Sequence, residues 1–260
     1  MVSIFPNLSG MTELQNRTAL VTGAAKGIGA HLASALATAG ASVIVNYRTD
    51  ATGAERVVKD IITAGGRAIA VQGDVGRRAD VRALFTTARE AFGPIDVLVN
   101  NAAVVTFAPL SAVTDEDFHR QVDTNFLGPV LTMQAFAAQE DLRPSASIVN
   151  VSTAGTSSHP AYSAVYVGTK SALNSITRIV AKELAPRGIR VNAVAPSASE
   201  TDGTRAAGFI GSPAAEAAIA EIPLGRLGTP EDYGPVVTFL ASDAARWITG
   251  EVLFASGGQR

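Results

Sequence analysis

Tyr166-Val167-Gly168-Thr169-Lys170 sets a phenol and an ammonium at i and i+4, so both project from one face of a helix. An ammonium near a phenol favours phenolate, and a tyrosine poised that way can exchange a proton with a substrate oxygen. Leu173, Ile176, Val180 and Leu184 follow at helical spacing and predict a buried face that holds the pair rigid. The spacing alone occurs often by chance. Tyr162, four residues earlier, has no lysine four residues after it.

A second group of residues suits a different task, the holding of phosphate. Thr22-Gly23-Ala24-Ala25-Lys26-Gly27-Ile28-Gly29 links an apolar run to a helical pattern. Gly23 permits a tight turn, while Gly27 and Gly29 let the backbone approach a bound pyrophosphate, whose charge meets the first helical amides. Ala25, Lys26 and Ile28 belong to the same turn and are expected on the cofactor surface. The next apolar run ends in Asn46-Tyr47-Arg48, without the Asp or Glu that would bind a ribose 2′-hydroxyl and repel a 2′-phosphate. Arg48 and Lys26 suit a phosphate dianion, so NADP(H) is the expected cofactor and NAD(H) stays open. The bland alternative is that both cations are solvated surface charges.

Both groups need a frame. Strand-like runs recur at 18–23, 42–47, 67–72, 95–101, 147–152, 189–196 and 251–256, with helical patterns near 27–39, 51–64, 78–92, 115–139, 163–185 and 230–242. Several runs are continuously apolar, as in strands covered on both faces. Their alternation with helices predicts an α/β, Rossmann-type, doubly wound parallel sheet of seven strands with helices on both faces. Thr114 before Asp115-Glu116-Asp117, and Thr229 before Pro230-Glu231-Asp232, mark helix starts, so these acids read as caps. Residues 1–16 read as an N-terminal arm, and 17–260 as one dinucleotide-binding catalytic domain. The small-residue-rich stretch 197–221 reads as a mobile flap after the sixth strand.

Bulk properties narrow the function further. The 260 residues are 47% hydrophobic and 17% charged, the balance of an ordinary globular chain. A net charge of −2 gives no reason to expect nucleic acid or an anionic membrane as partner. No apolar stretch approaches the roughly 20 residues that span a bilayer. With no cysteine there is no thiolate nucleophile or disulfide framework, which fits a cytoplasmic location. His31, His119 and His159 lack ligand spacing, so no metal is expected, and no G-x-S-x-G elbow supports a hydrolase.

Taken in order, the glycine turn, Asn100-Asn101-Ala102-Ala103 after the fourth strand, Asn125, the Ser152-Thr153 pair after the fifth strand and Tyr166-x-x-x-Lys170 resemble the short-chain dehydrogenase/reductase family. The similarity runs from about Arg17 to Ser256-Gly257-Gly258. It implies hydride transfer between the nicotinamide and a carbonyl or secondary alcohol. Tyr166 would be the acid/base, with Lys170 holding the nicotinamide ribose and lowering the tyrosine pKa, and Asn125 anchoring a relay water. Asp74 and Val75 would flank the adenine, and Asn101, Ala102 and Ala103 would line the cofactor. Pro196 to Thr201, including Ser199, would meet the carboxamide.

Three positions depart from the family pattern. The catalytic serine, thirteen residues before the tyrosine, is Thr153 here; it keeps the hydroxyl, with Ser152 as the alternative. Ala103 and Ser197 stand where glycines are usual. Ala154 and His159, in the loop before Tyr166, are candidate substrate contacts, His159 being equally readable as structural. The resemblance is to 3-oxoacyl thioester reductases and ketoreductases, with sugar or polyol dehydrogenases as the alternative. It also implies a homotetramer pairing the helices near 125–139 and 163–185. A non-catalytic, cofactor-sensing scaffold is the reading from another class, although such a protein would be expected to lose Tyr166, Lys170 or Asn125.

Overall fold

The computed structural model describes residues 14–143 and 145–260. Seven strands form one sheet: β1 (Thr18–Val21), β2 (Ser42–Tyr47), β3 (Arg67–Gln72), β4 (Val97–Asn100), β5 (Ser147–Val151), β6 (Arg190–Pro196) and β7 (Val252–Ala255). Their order is β3-β2-β1-β4-β5-β6-β7 and every pairing is parallel, as the alternating pattern predicts. The order reverses between β1 and β4. In doubly wound sheets the crevice beyond the carboxyl ends of such a pair is where ligands bind.

Side chains alternate across each strand, so the sheet faces two separate cores. Ala19, Val21, Val43 and Val45 pack under α1 (Gly27–Thr38), α2 (Ala51–Thr63) and α10 (Pro230–Ala241). Leu20, Ile44, Leu98 and Ile148 pack under α3 (Arg78–Phe92), α5 (Gly128–Ala137) and α7 (Ala164–Leu184). The second core carries a buried polar chain. Thr132 Oγ1 donates to Asn100 Oδ1 (2.7 Å), Asn100 Nδ2 to Asn150 Oδ1 (2.9 Å), and Asn150 Nδ2 to Thr177 Oγ1 (2.9 Å). All four residues are buried, so a satisfied chain of this kind fixes α5 and α7 against β4 and β5.

The helical pattern over 115–139 is borne out from 115 to 137, but its hydrogen bonding is not regular throughout: α4 (Asp115–Val122) passes through a wide π turn (Asp123–Leu127) into α5 without a break. Pro129 supplies a physical reason, because it has no N–H to donate to the carbonyl of residue 125. Of the arm over 1–16, residues 1–13 lie outside the described residues. Leu14 is buried in the first core and its amide donates to Ala39. The stretch after β6 holds α8 (Asp202–Ala206) and α9 (Pro213–Ala220), over a small core of Ala215, Ile222 and Leu227. No helix among the described residues is long and apolar enough to cross a membrane.

Candidate active site

The glycine turn sits at the sheet's switch point. Gly23 has φ +62, and a Cβ there would stand 2.8 Å from the Ala102 Cα. A Cβ on Gly29 would meet Asn101 Nδ2 at 2.4 Å and the Gly23 carbonyl at 2.5 Å. Only glycine allows so close a backbone approach. Asn101 closes the turn from the β4 side: its Nδ2 donates to the carbonyls of Thr22 and Gly23, and Thr22 Oγ1 accepts from the amides of Asn101 and Ala102. No side chain among the described residues caps the start of α1, so its first amides are open to an anion. That cradle fits a dinucleotide pyrophosphate.

The expected cofactor residues divide into two groups. Gly23, Gly27, Ile28, Asn101 and Ala102 surround the turn, exposed Lys26 stands at its tip, and Ala103 is exposed one residue beyond Ala102. Thr201 faces Gly27 across 3.7 Å, measured from a Cβ placed on the glycine. Arg48 is exposed at the end of β2, 3.9 Å from Asp74. Asn46, by contrast, is buried: it accepts from the Gly23 amide and donates to the carbonyls of Val71 and Gly73. It fastens the turn to β3, because a strand residue so enclosed must find its partners within the sheet. Tyr47 packs against the first core, Ala25 is buried facing α2, and Val75 packs against Gly128.

On the other side of the crevice, Lys170 and Tyr166 share a face of α7, but they do not bond to one another. Lys170 is buried and Nζ donates to the Val151 carbonyl at 2.7 Å, at the end of β5. Burial lowers its pKa to about 8. Burial also pushes the Tyr166 phenol up to about 12, against a smaller downward pull from the neighbouring Thr153 side chain. Desolvation penalises phenolate more than anything nearby stabilises it.

Of the two hydroxyl candidates, Thr153 is half-buried beside Tyr166, where Oγ1 also accepts from the Gly155 amide. Ser152 is buried, and its Oγ has no hydrogen-bond partner among the described residues. The Asn125 side chain is fully used: Oδ1 accepts from the Val104 amide, and Nδ2 donates to the Val104 carbonyl and to Thr169 Oγ1. Its carbonyl is the group that Pro129 leaves without an α-helical donor. Ala154 is fully buried and donates its amide to Pro196, so it presents no substrate surface. His159 is exposed at φ +50 on the rim, and Tyr162, exposed at φ +66, stays apart from the lysine. Buried Ser199 bonds the Tyr233 hydroxyl (2.5 Å) and the Ser197 carbonyl (2.8 Å), and so anchors the base of the flap. Buried Pro196 ends β6.

A family model described as enoyl-(acyl carrier protein) reductase matches residues 23–260. The chain belongs to the short-chain dehydrogenase/reductase family. An oxidoreductase of Methylorubrum extorquens is 50% identical over 96% of this chain and 100% of its own length. A 3-oxoacyl-[acyl-carrier-protein] reductase of Synechocystis sp. is 41% identical, over 95% of this chain and 98% of its own. A short-chain dehydrogenase of Burkholderia cenocepacia J2315, solved in complex with NADP, superposes with a TM-score of 0.89 at 33% identity, covering 95% of this chain and 99% of that one. The protein is an NAD(P)-dependent oxidoreductase of this family.

Two features escaped the sequence reading. Phe107, on the loop after β4, lies with its ring 6.5 Å from that of Tyr166, tilted by 57°. Tyr233 reaches from α10 to the flap base. No spacing rule joins either to its partner. The proline four residues after Asn125 was the one usable signal for the π turn.

Proposed function

We propose that the protein reduces a ketone carbonyl to a secondary alcohol with NADPH, Tyr166 donating the proton. The observation that carries this is the placement of the Tyr166 phenol beside the Thr153 hydroxyl at the carboxyl end of the sheet, one helical turn from buried Lys170. A neutral phenol is an acid, which suits proton delivery to an oxyanion. The bound nicotinamide would supply the hydride. Thr153 donates a hydrogen bond to the carbonyl oxygen and orients it towards Tyr166. Lys170, tied to the Val151 carbonyl, presents an ammonium behind the phenol and to the cofactor ribose. The Asn125 carbonyl holds a water that returns a proton to the site, consistent with its missing α-helical donor.

Gly23, Gly27, Gly29 and the open amides of α1 hold the pyrophosphate, with Asp74 and Val75 near the adenine. Lys26 and Arg48 face the 2′-phosphate, and Asp74 lies 3.9 Å from the Arg48 guanidinium. The dinucleotide named in the Burkholderia structure supports this choice. The name of the Synechocystis relative supports keto reduction over sugar oxidation. The chain would act as a cytoplasmic homotetramer, in which exposed Ile179 on α7 would be covered by a second copy.

A carbonyl panel, followed through the absorbance of the reduced nicotinamide, tests the reading. Turnover with NADPH is expected, and Tyr166→Phe should lower kcat by roughly 10²–10⁴-fold while dinucleotide binding persists. Undiminished turnover in that variant would sink the mechanism. Tight cofactor binding with no turnover on any carbonyl would favour the scaffold instead.

A further inference from the structure

The segment after β4 alternates in exposure with the period of an extended chain. Ala103, Val105, Phe107 and Pro109 are exposed, whereas Ala102, Val104, Thr106 and Ala108 are not. The inward set is tied down residue by residue. The Val104 amide and carbonyl are both held by Asn125, Thr106 Oγ1 accepts from Arg120 Nη2 (2.8 Å), and the Ala108 amide donates to the Tyr162 carbonyl (2.8 Å). The outward set is therefore a fixed apolar rail. Phe107, 63% exposed, abuts Tyr166. Val105, 46% exposed, stands about 7 Å along the same edge, two residues nearer the cofactor turn.

An exposed Phe and Val held rigidly beside a proton donor carry a hydration cost that a bound molecule would relieve. We infer that the rail is a substrate platform and that the substrate is a flat, apolar ketone, with a ring stacked on Phe107 and its carbonyl between Thr153 and Tyr166. A hydroxyl-rich sugar or polyol would lay its hydroxyl groups against side chains that offer no hydrogen-bond partner, and unpaired polar groups of that kind weaken binding. This inference rests on Tyr166 acting as the proton donor and adds the substrate class to it.

The test compares 2-acetylnaphthalene with dihydroxyacetone, both with NADPH, in wild type, Phe107→Ala and Phe107→Leu. Wild type should favour the aryl ketone by at least about tenfold in kcat/KM, the size of one aromatic contact plus its buried area. Phe107→Ala should lower the ratio of the two kcat/KM values by about tenfold, mainly through the aryl KM, with Phe107→Leu in between. Should Phe107→Ala lose its circular dichroism signal, Val105→Ser gives the same comparison and should lower the ratio by about threefold. A wild-type preference for dihydroxyacetone, or a ratio unmoved by the variants, would overturn the platform and leave hydride transfer standing. Absence of turnover with every ketone would overturn both.

Discussion

The dinucleotide cradle and the carbonyl side of the crevice are built by different means. Around Gly23 the backbone is packed so tightly that Asn101, Thr22 and Asn46 spend their polar atoms on holding neighbouring backbone groups. Tyr166 stands on α7, but its neighbours Thr153 and Phe107 stand on loops, and the loop after β4 is held by bonds between distant segments such as Val104–Asn125 and Ala108–Tyr162. The first region is a piece of the sheet with a hole of fixed shape. The second is a set of side chains mounted on it, where a change in one loop alters chemistry without threatening the fold. A cradle of backbone and a mouth of side chains are how one scaffold keeps a cofactor and varies its substrates.

Four measurements can break or sharpen that contrast. The largest effect is expected in the cradle: Gly29→Ala puts a methyl against the Gly23 carbonyl and Asn101, costing about 1–3 kcal/mol of stability in urea unfolding and weakening dinucleotide binding in parallel. An unchanged midpoint would show that the turn yields more than its geometry implies.

Next comes the pH dependence of the buried lysine. The folded-state value of about 8 lies below the ordinary 10.5, so the unfolded chain binds more protons between these values. Stability should therefore rise from pH 8 towards 10.5, by up to about 1.4 kcal/mol per pH unit for one group, and the penalty is complete below pH 8. Lys170→Met should abolish that difference in slope. Tyr166 acts in the opposite sense: its raised value of about 12 contributes stability below pH 10 that is lost as pH climbs towards 12. The window from pH 8 to 10 thus isolates the lysine.

At the edge of the cradle, Arg48→Ala should raise the KM for NADPH by about tenfold and that for NADH much less, as expected for one charge-assisted hydrogen bond at an exposed site. An NADH preference already present in wild type and persisting in the variant would reverse the cofactor choice. The smallest effect belongs to the flap base, where Tyr233→Phe removes the bond to Ser199. A loss of about 1 kcal/mol in stability is expected, with faster limited proteolysis between α8 and α9. Equal proteolysis rates would mean that the small core of Ala215, Ile222 and Leu227 holds the flap without it.

Most of the frame was legible in the chain itself. Apolar runs of strand length, separated by helical patterns, place all seven strands to within two residues at each end. The helix expected over 115–139 is present, but its π turn was not foreseen, since hydrophobic periodicity passes through Pro129 without registering its missing donor. The site was legible as an ordered set of types, and less so as contacts. Thr153 and Ser152 are neighbours in sequence, yet one faces Tyr166 and the other is enclosed, a difference set by where β5 ends. Asn46 and Ala154 sat at plausible positions, but burial turned both inward.

By itself the sequence determined the alternation of elements, the glycine turn and the helical pairing of Tyr166 with Lys170, because each depends on residues near one another along the chain. Tertiary structure alone decided that Lys170 would serve Val151, that burial would push the Tyr166 pKa up, and that Phe107 would lie against it. Those outcomes follow from desolvation and from contacts between segments tens of residues apart. No local spacing carries either one.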